Sequence, residues 1–128
     1  MKEKLVEKFS DLRFTKDYAG KSAYVIYDNI LLSIVCSDYS YGGKSGLYEI
    51  GVFSNDGRNI IVDGITESDD FVRGWLSAKA VTHTIRRMSE ITGVVGRQGG
   101  DLMFEWNTQE VLHQDSESYQ KTVNFNNM

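Results

Sequence analysis

The spacing of apolar residues changes several times along the chain, and each change marks an element. Leu5, Val6, Phe9 and Leu12 recur on one side of a 3.6-residue repeat with Lys and Glu opposite, which predicts a short amphipathic helix over residues 2–12. Lys16-Asp17-Tyr18-Ala19-Gly20-Lys21 breaks that repeat and reads as a loop. From Ser22 the pattern turns β-like. Ala23 to Tyr27 is rich in β-branched and aromatic residues, Asp28-Asn29 supplies a two-residue turn, and Ile30 to Cys36 is nearly all apolar. A run without alternation predicts a central strand buried on both faces.

A third strand follows from Leu47 to Phe53, with Tyr48, Ile50 and Val52 on one face and Leu47, Glu49, Gly51 and Phe53 on the other. Asn55-Asp56-Gly57 is a turn signal, and Asn59 to Asp63 is the fourth strand. Beyond Thr66 the period becomes helical again. Ser68 or Asp69 is placed to cap a short helix holding Phe71, Val72, Trp75 and Leu76. Ser77 then caps the longest helix, Ala78 to about Ile91, with Val81, Ile85, Met88 and Ile91 or Thr92 inward and Gly93 closing it. Gly93 to Gly100 reads as a glycine-rich connection, and Asp101 to Trp106 as a fifth, shorter strand or a segment packed beside the sheet. The expected fold is α+β: a four- to five-stranded antiparallel meander with the long helix on one face and a short N-terminal helix. Residues 1–107 form a single domain and 108–128 a polar, flexible tail. One helix covers one face alone. Leu31, Val35, Phe53 and Ile61 need a second cover, which raises the expectation of a homo-oligomer.

A length of 128 residues fits one domain that buries roughly two-thirds of its unfolded surface. Seven Tyr, six Phe and two Trp favour a β-rich core or an aromatic binding face. The net charge of -4 disfavours nucleic acid, whose phosphates need clustered Lys and Arg. Cys36 is the single cysteine, so no intramolecular disulfide and no multi-thiolate metal site arises; its apolar surroundings point to an inert buried thiol. No secretory leader or membrane-length apolar run appears, so a cytoplasmic location and no membrane partner are expected.

Asp38-Tyr39-Ser40-Tyr41-Gly42-Gly43-Lys44-Ser45-Gly46 is the most distinctive stretch. It is not a P-loop: Asp38 stands where the first glycine belongs, and a strand rather than a helix follows. A flexible loop is the plain reading. The alternative is a small anion or nucleotide held by Gly42, Gly43 and Lys44. Tyr39 and Tyr41 suit an interface, since Tyr offers large rigid contact area at low entropic cost.

His83 and His113 share no metal-ligand spacing with each other or with Cys36, so no metal site and no cofactor is expected. No catalytic constellation is present; Gly-x-Ser-x-Gly, for one, is missing. The acidic run Asp63, Glu67, Asp69 and Asp70 is explained by helix capping, with magnesium binding as the minor alternative. Glu49 interrupts an apolar strand and is either paired on a buried face or solvated on an open one. Residues 71–97 carry Arg73, Lys79, Arg86, Arg87 and Arg97 against Glu90 alone. That basic helix is either a solvated face or a dock for an acidic partner.

Tyr41-Gly42-Gly43, Gly46-Leu47-Tyr48-Glu49-Ile50 and Asp70-Phe71-Val72-Arg73-Gly74-Trp75-Leu76-Ser77 resemble stretches of small accessory proteins of tailed phages and prophages, over residues 37–92. The resemblance brings no catalytic residue. It implies a genomic context in which genes of this size encode inhibitors of host or defence proteins. The leading expectation is therefore a non-enzymatic interaction protein, a phage-encoded inhibitor of a host or anti-phage defence protein. Its contact residues are Tyr39, Tyr41, Gly42, Gly43 and Lys44 in the loop and Lys79, His83 and Arg86 on the helix. The alternatives are a binder that sequesters a small molecule or nucleotide at the Gly/Tyr loop, an unrecognised small enzyme using Glu49 or Asp69/Asp70, and a virion component.

Overall fold

The computed structural model describes residues 2–100 and the backbone of Thr122–Asn124. In chain order the strands are β1 (Lys4–Val6), β2 (Thr15–Lys16), β3 (Gly20–Tyr27), β4 (Ile30–Ser37), β5 (Tyr48–Ser54), β6 (Asn59–Ile61) and β7 (Val72–Leu76). Helix α1 (Ala78–Thr92) follows, then β8 (Gly96–Gln98) and β9 (Thr122–Asn124). The fold is α+β. β1 to β8 form an antiparallel sheet around the path β1-β8-β3-β4-β5-β6, with β2 beside β3 and β7 beside β5; β9 runs parallel to β6.

The meander is where the periodicity puts it. β3 and β4 pair along their whole length across the Asp28-Asn29 turn, with Asp28 left-handed at φ 56°. β4 pairs with β5, and β5 turns through Gly57 (φ 87°) into β6. Ile30 to Ile34 are all buried, as the unbroken apolar run requires. Helix α1 also matches: the Ser77 hydroxyl accepts from the Ala80 N–H at 3.1 Å, and Gly93 ends the helix at φ 80°. Its inward residues Val81, Ile85 and Met88 meet Val25, Tyr27, Leu32, Ile34, Ile50 and Val52 in the main core.

Four expectations are corrected. The strand count exceeds four or five. Residues 2–12 are not a helix but β1 followed by a turn of 3₁₀ helix at Phe9–Asp11. A lone segment of this length is marginal as a helix, whereas β1 gains a ladder against β8, Lys4 opposite Gln98 and Val6 opposite Gly96. Val6 is buried while Leu5 is half exposed, the alternation of a strand. Phe9 and Leu12 still reach the core, and the Phe9 N–H donates to Thr82 Oγ1 of α1 at 2.9 Å. Residues 71–76 are not a helix either. They form β7 on the edge of β5, where β-branched and aromatic residues fit and where Gly74 is no helix former. The connection after α1 is not all loop, because β8 runs between β1 and β3. Gly96 makes that possible: a Cβ there would stand 2.8 Å from the Tyr27 ring.

The second face is closed more fully than one helix suggests. Ile26, Leu31 and Phe53 are buried there with Tyr24 and Phe71 packed against them, Phe71 edge-on to Phe53 at 5.5 Å. Leu31 and Phe53 therefore find cover within the chain; Val35 and Ile61 are half-buried. The strand expected at Asp101–Trp106 and nearly all of the expected tail lie outside the described residues.

Candidate functional site

β3 begins, β4 ends, β5 begins and β7 ends at the same end of the sheet, because Gly20 pairs with Ser37 and Tyr48 with Leu76. Two loops emerge there. The turn Asp17–Gly20 is closed by the Asp17 carboxylate, which accepts from the Ala19 and Gly20 N–H groups at 2.8 and 3.0 Å. The Gly/Tyr loop, 38–47, is tied to it by the Asp38 N–H, which donates to the Ala19 carbonyl at 3.0 Å. A cleft of about 440 Å³ separates the two loops, with Tyr18, Lys21, Cys36, Asp38 and Gly43 on its walls. Cys36 is half-buried, with Sγ 3.6 Å from the Gly43 carbonyl oxygen.

The Gly/Tyr loop is built for compactness. Gly43–Ser45 is a 3₁₀ turn flanked by left-handed glycines, Gly42 at φ 89° and Gly46 at φ 77°. The N–H groups of Gly43, Ser45, Gly46 and Leu47 donate to carbonyls within the loop. An anion would find those four amides already committed, unlike the open amides of a phosphate cradle. Gly43 has a packing role instead, since a Cβ there would collide with the Ser37 backbone. Lys44 is exposed.

Across from the loop stands β7, and its register slips. Tyr48 pairs with Leu76 but Ile50 with Arg73, so Gly74 and Trp75 together oppose the single Glu49. This is a β-bulge, a device that re-aims a side chain and bends its strand. Trp75 takes the strained position, left-handed at φ 61°, and its side chain is turned to solvent. The Trp75 N–H donates to the Tyr41 carbonyl at 3.1 Å. The loop and the bulge thus lock together.

The result is an aromatic end. Tyr18, Tyr39, Tyr41 and Trp75 are exposed by 96, 83, 62 and 63%. Tyr39 and Tyr41 are where the sequence places them. Tyr18 and Trp75 were missed: Tyr18 is an aromatic in a polar loop, which is itself a signal, whereas the apolar spacing places Trp75 in a helix that does not form. Lys79, in the first turn of α1, lies toward this end. His83 and Arg86 lie one and two turns further, about 6 and 10 Å along the axis. They line a separate groove with Arg73 and Arg87. The loop and helix residues are therefore two surfaces, not one cleft.

The acidic run is not a helix cap. Glu67 Oε1 stands 2.9 Å from Arg73 Nε, the Asp70 carboxylate accepts from the Phe71 N–H at 2.7 Å, and Asp63 and Asp69 are exposed. Glu49 is half-buried beside the bulge. Among the described residues no three His, Cys, Asp or Glu side chains are grouped to hold a metal ion, and no helix is long and apolar enough to cross a membrane. Comparison with protein-family models, with curated proteins and with solved structures finds no match for this chain.

Proposed function

We propose that this chain is a non-enzymatic protein-interaction module that meets its partner with the aromatic end of the sheet. Trp75 carries the reading. A large apolar residue in the left-handed region costs roughly 1–2 kcal/mol, and here the ring repays little of it by burial. Strain kept at an exposed aromatic, at a bulge, is the arrangement expected of a binding anchor. Tyr39, Tyr41 and Tyr18 extend the anchor into a surface of rigid amphipathic side chains, and Lys44 adds a charge at its rim. The resemblance to phage accessory proteins supports a host or anti-phage defence protein as the partner, with the chain as its inhibitor in the cytoplasm of the infected cell.

The test is affinity capture from host cells expressing the tagged chain, beside a Tyr39→Ala/Tyr41→Ala/Trp75→Ala variant. One or more host proteins held by the wild type and lost from a variant of unchanged melting temperature is the expected outcome. The same proteins on both baits would refute the aromatic end as the contact surface.

A further inference from the structure

Between the outer side of α1 and the β7 edge runs a groove of about 450 Å³, separate from the aromatic end. Its floor is Leu76 and Ala80; its walls carry Arg73, His83, Arg86 and Arg87. These side chains are held differently. Arg73 is fixed: Nη2 donates to the Thr66 carbonyl at 3.1 Å, and Nε lies 2.9 Å from Glu67 Oε1 with its N–H not aimed at that oxygen. Arg87 is paired with Glu90 at 3.1 Å, one turn along the helix. The Arg86 and His83 side chains have neither an ion pair nor a hydrogen bond among the described residues, and both are exposed.

We infer that this groove is a docking site for an acidic peptide segment of a protein partner, with Arg86 and His83 receiving its carboxylates and Leu76 and Ala80 its aliphatic stems. This rests on the reading of the chain as an interaction module and adds a second surface with its own chemistry. Charge complementarity is the first argument. Guanidinium groups suit carboxylates, and two in this groove already stand against one, Arg73 beside Glu67 and Arg87 beside Glu90, each through a single nitrogen–oxygen contact. The second argument separates peptide from nucleic acid. Glu90 lines the groove, Asp63 is adjacent to the lining residue Gly64, and Glu67 and Asp69 follow, all exposed. A continuous phosphate backbone, one charge per nucleotide, would be carried across that acidic flank and repelled. An acidic peptide can place its carboxylates on the cations and neutral residues against the flank. The chain's net charge of -4 points the same way.

The experiment is an amide-resolved NMR titration of the full chain with a capped hexaglutamate peptide, and separately with a thymidine hexanucleotide. The expected result is saturable shifts at Ala80–Arg87 and around Gly64 with the peptide, weaker ones with the oligonucleotide. Arg86→Glu should weaken the peptide about tenfold while leaving the rest of the spectrum in place. Peptide shifts that are absent, that centre elsewhere, or that survive Arg86→Glu would overturn the inference. Tighter binding of the oligonucleotide would overturn it in favour of nucleic acid. The Tyr39→Ala/Tyr41→Ala/Trp75→Ala variant must titrate like the wild type, so this site and the aromatic end fail independently.

Discussion

Gly74 and Tyr41 are packed so closely that a Cβ on Gly74 would stand 2.9 Å from the Tyr41 carbonyl oxygen and nearer still to Tyr41 Cβ. No rotamer change relieves a clash with backbone and Cβ, so the loop or β7 must move. Gly74→Ala should therefore cost about 1–3 kcal/mol, the usual range for overpacking. Urea denaturation measures it. The same variant should shift the amide signals of Tyr41 and Gly42, whose own Cβ position lies 3.0 Å from Trp75 Cα. An unchanged midpoint would mean that the loop is not seated on the bulge.

Trp75 allows backbone strain and side-chain function to be separated. Trp75→Ala and Trp75→Gly both remove the ring, but only glycine is at ease at φ 61°. The glycine variant should be more stable than the alanine variant by about 1 kcal/mol, while both lose partner capture equally. Thermal melts and the capture assay run side by side decide it. A glycine variant no more stable than alanine would remove the strain on which the proposed anchor rests.

These two residues also mark where the sequence stopped being legible. The β3–β4–β5–β6 meander and α1 could be read because each has one dominant local signal: a turn of two residues, an unbroken apolar run, a serine cap and a closing glycine. β1, β7 and β8 lack such signals, being short segments whose shape is set by a free edge already present. Val72, Trp75 and Leu76 satisfy helical spacing, yet the open side of β5 offered a ladder that outweighed it. The candidate site was half legible for the same reason. Tyr39 and Tyr41 lie in a loop whose composition declares it, but the exposure of Trp75 depends on a register slip against Glu49 that no periodicity encodes.

Ser77 is the single side-chain cap at the start of α1, accepting from the Ala80 N–H. Ser77→Ala should cost about 1 kcal/mol, and Ser77→Asp should restore it, since an aspartate both caps and favours the positive end of the helix. Because α1 supplies Val81, Ile85 and Met88 to the main core, the loss should appear in the global urea midpoint rather than as local fraying. A loss seen only in helical circular dichroism, with the midpoint unmoved, would contradict this.

Tyr27 makes the fold sensitive to alkali. Its ring is fully buried and its hydroxyl donates to the Ile85 carbonyl at 3.4 Å, so burial pushes the phenol well above its ordinary range. Tyr24 is raised too, chiefly by burial, with the Ser22 hydrogen bond lowering it and the Asp17 charge raising it. A folded-state pKa above the unfolded one means that the contribution to stability is complete below about pH 10 and is lost as pH climbs from there through the folded value. In that window the slope for a buried tyrosine approaches about 1.4 kcal/mol per pH unit, because the unfolded chain ionises and the folded one resists. Urea midpoints taken from about pH 8 to about pH 11 should fall on the upper limb for the wild type and fall less for Tyr27→Phe. Phenylalanine keeps the packing and has no proton to lose. Parallel alkaline losses in both proteins would show that Tyr27 ionises as readily folded as unfolded, contrary to its burial beneath α1.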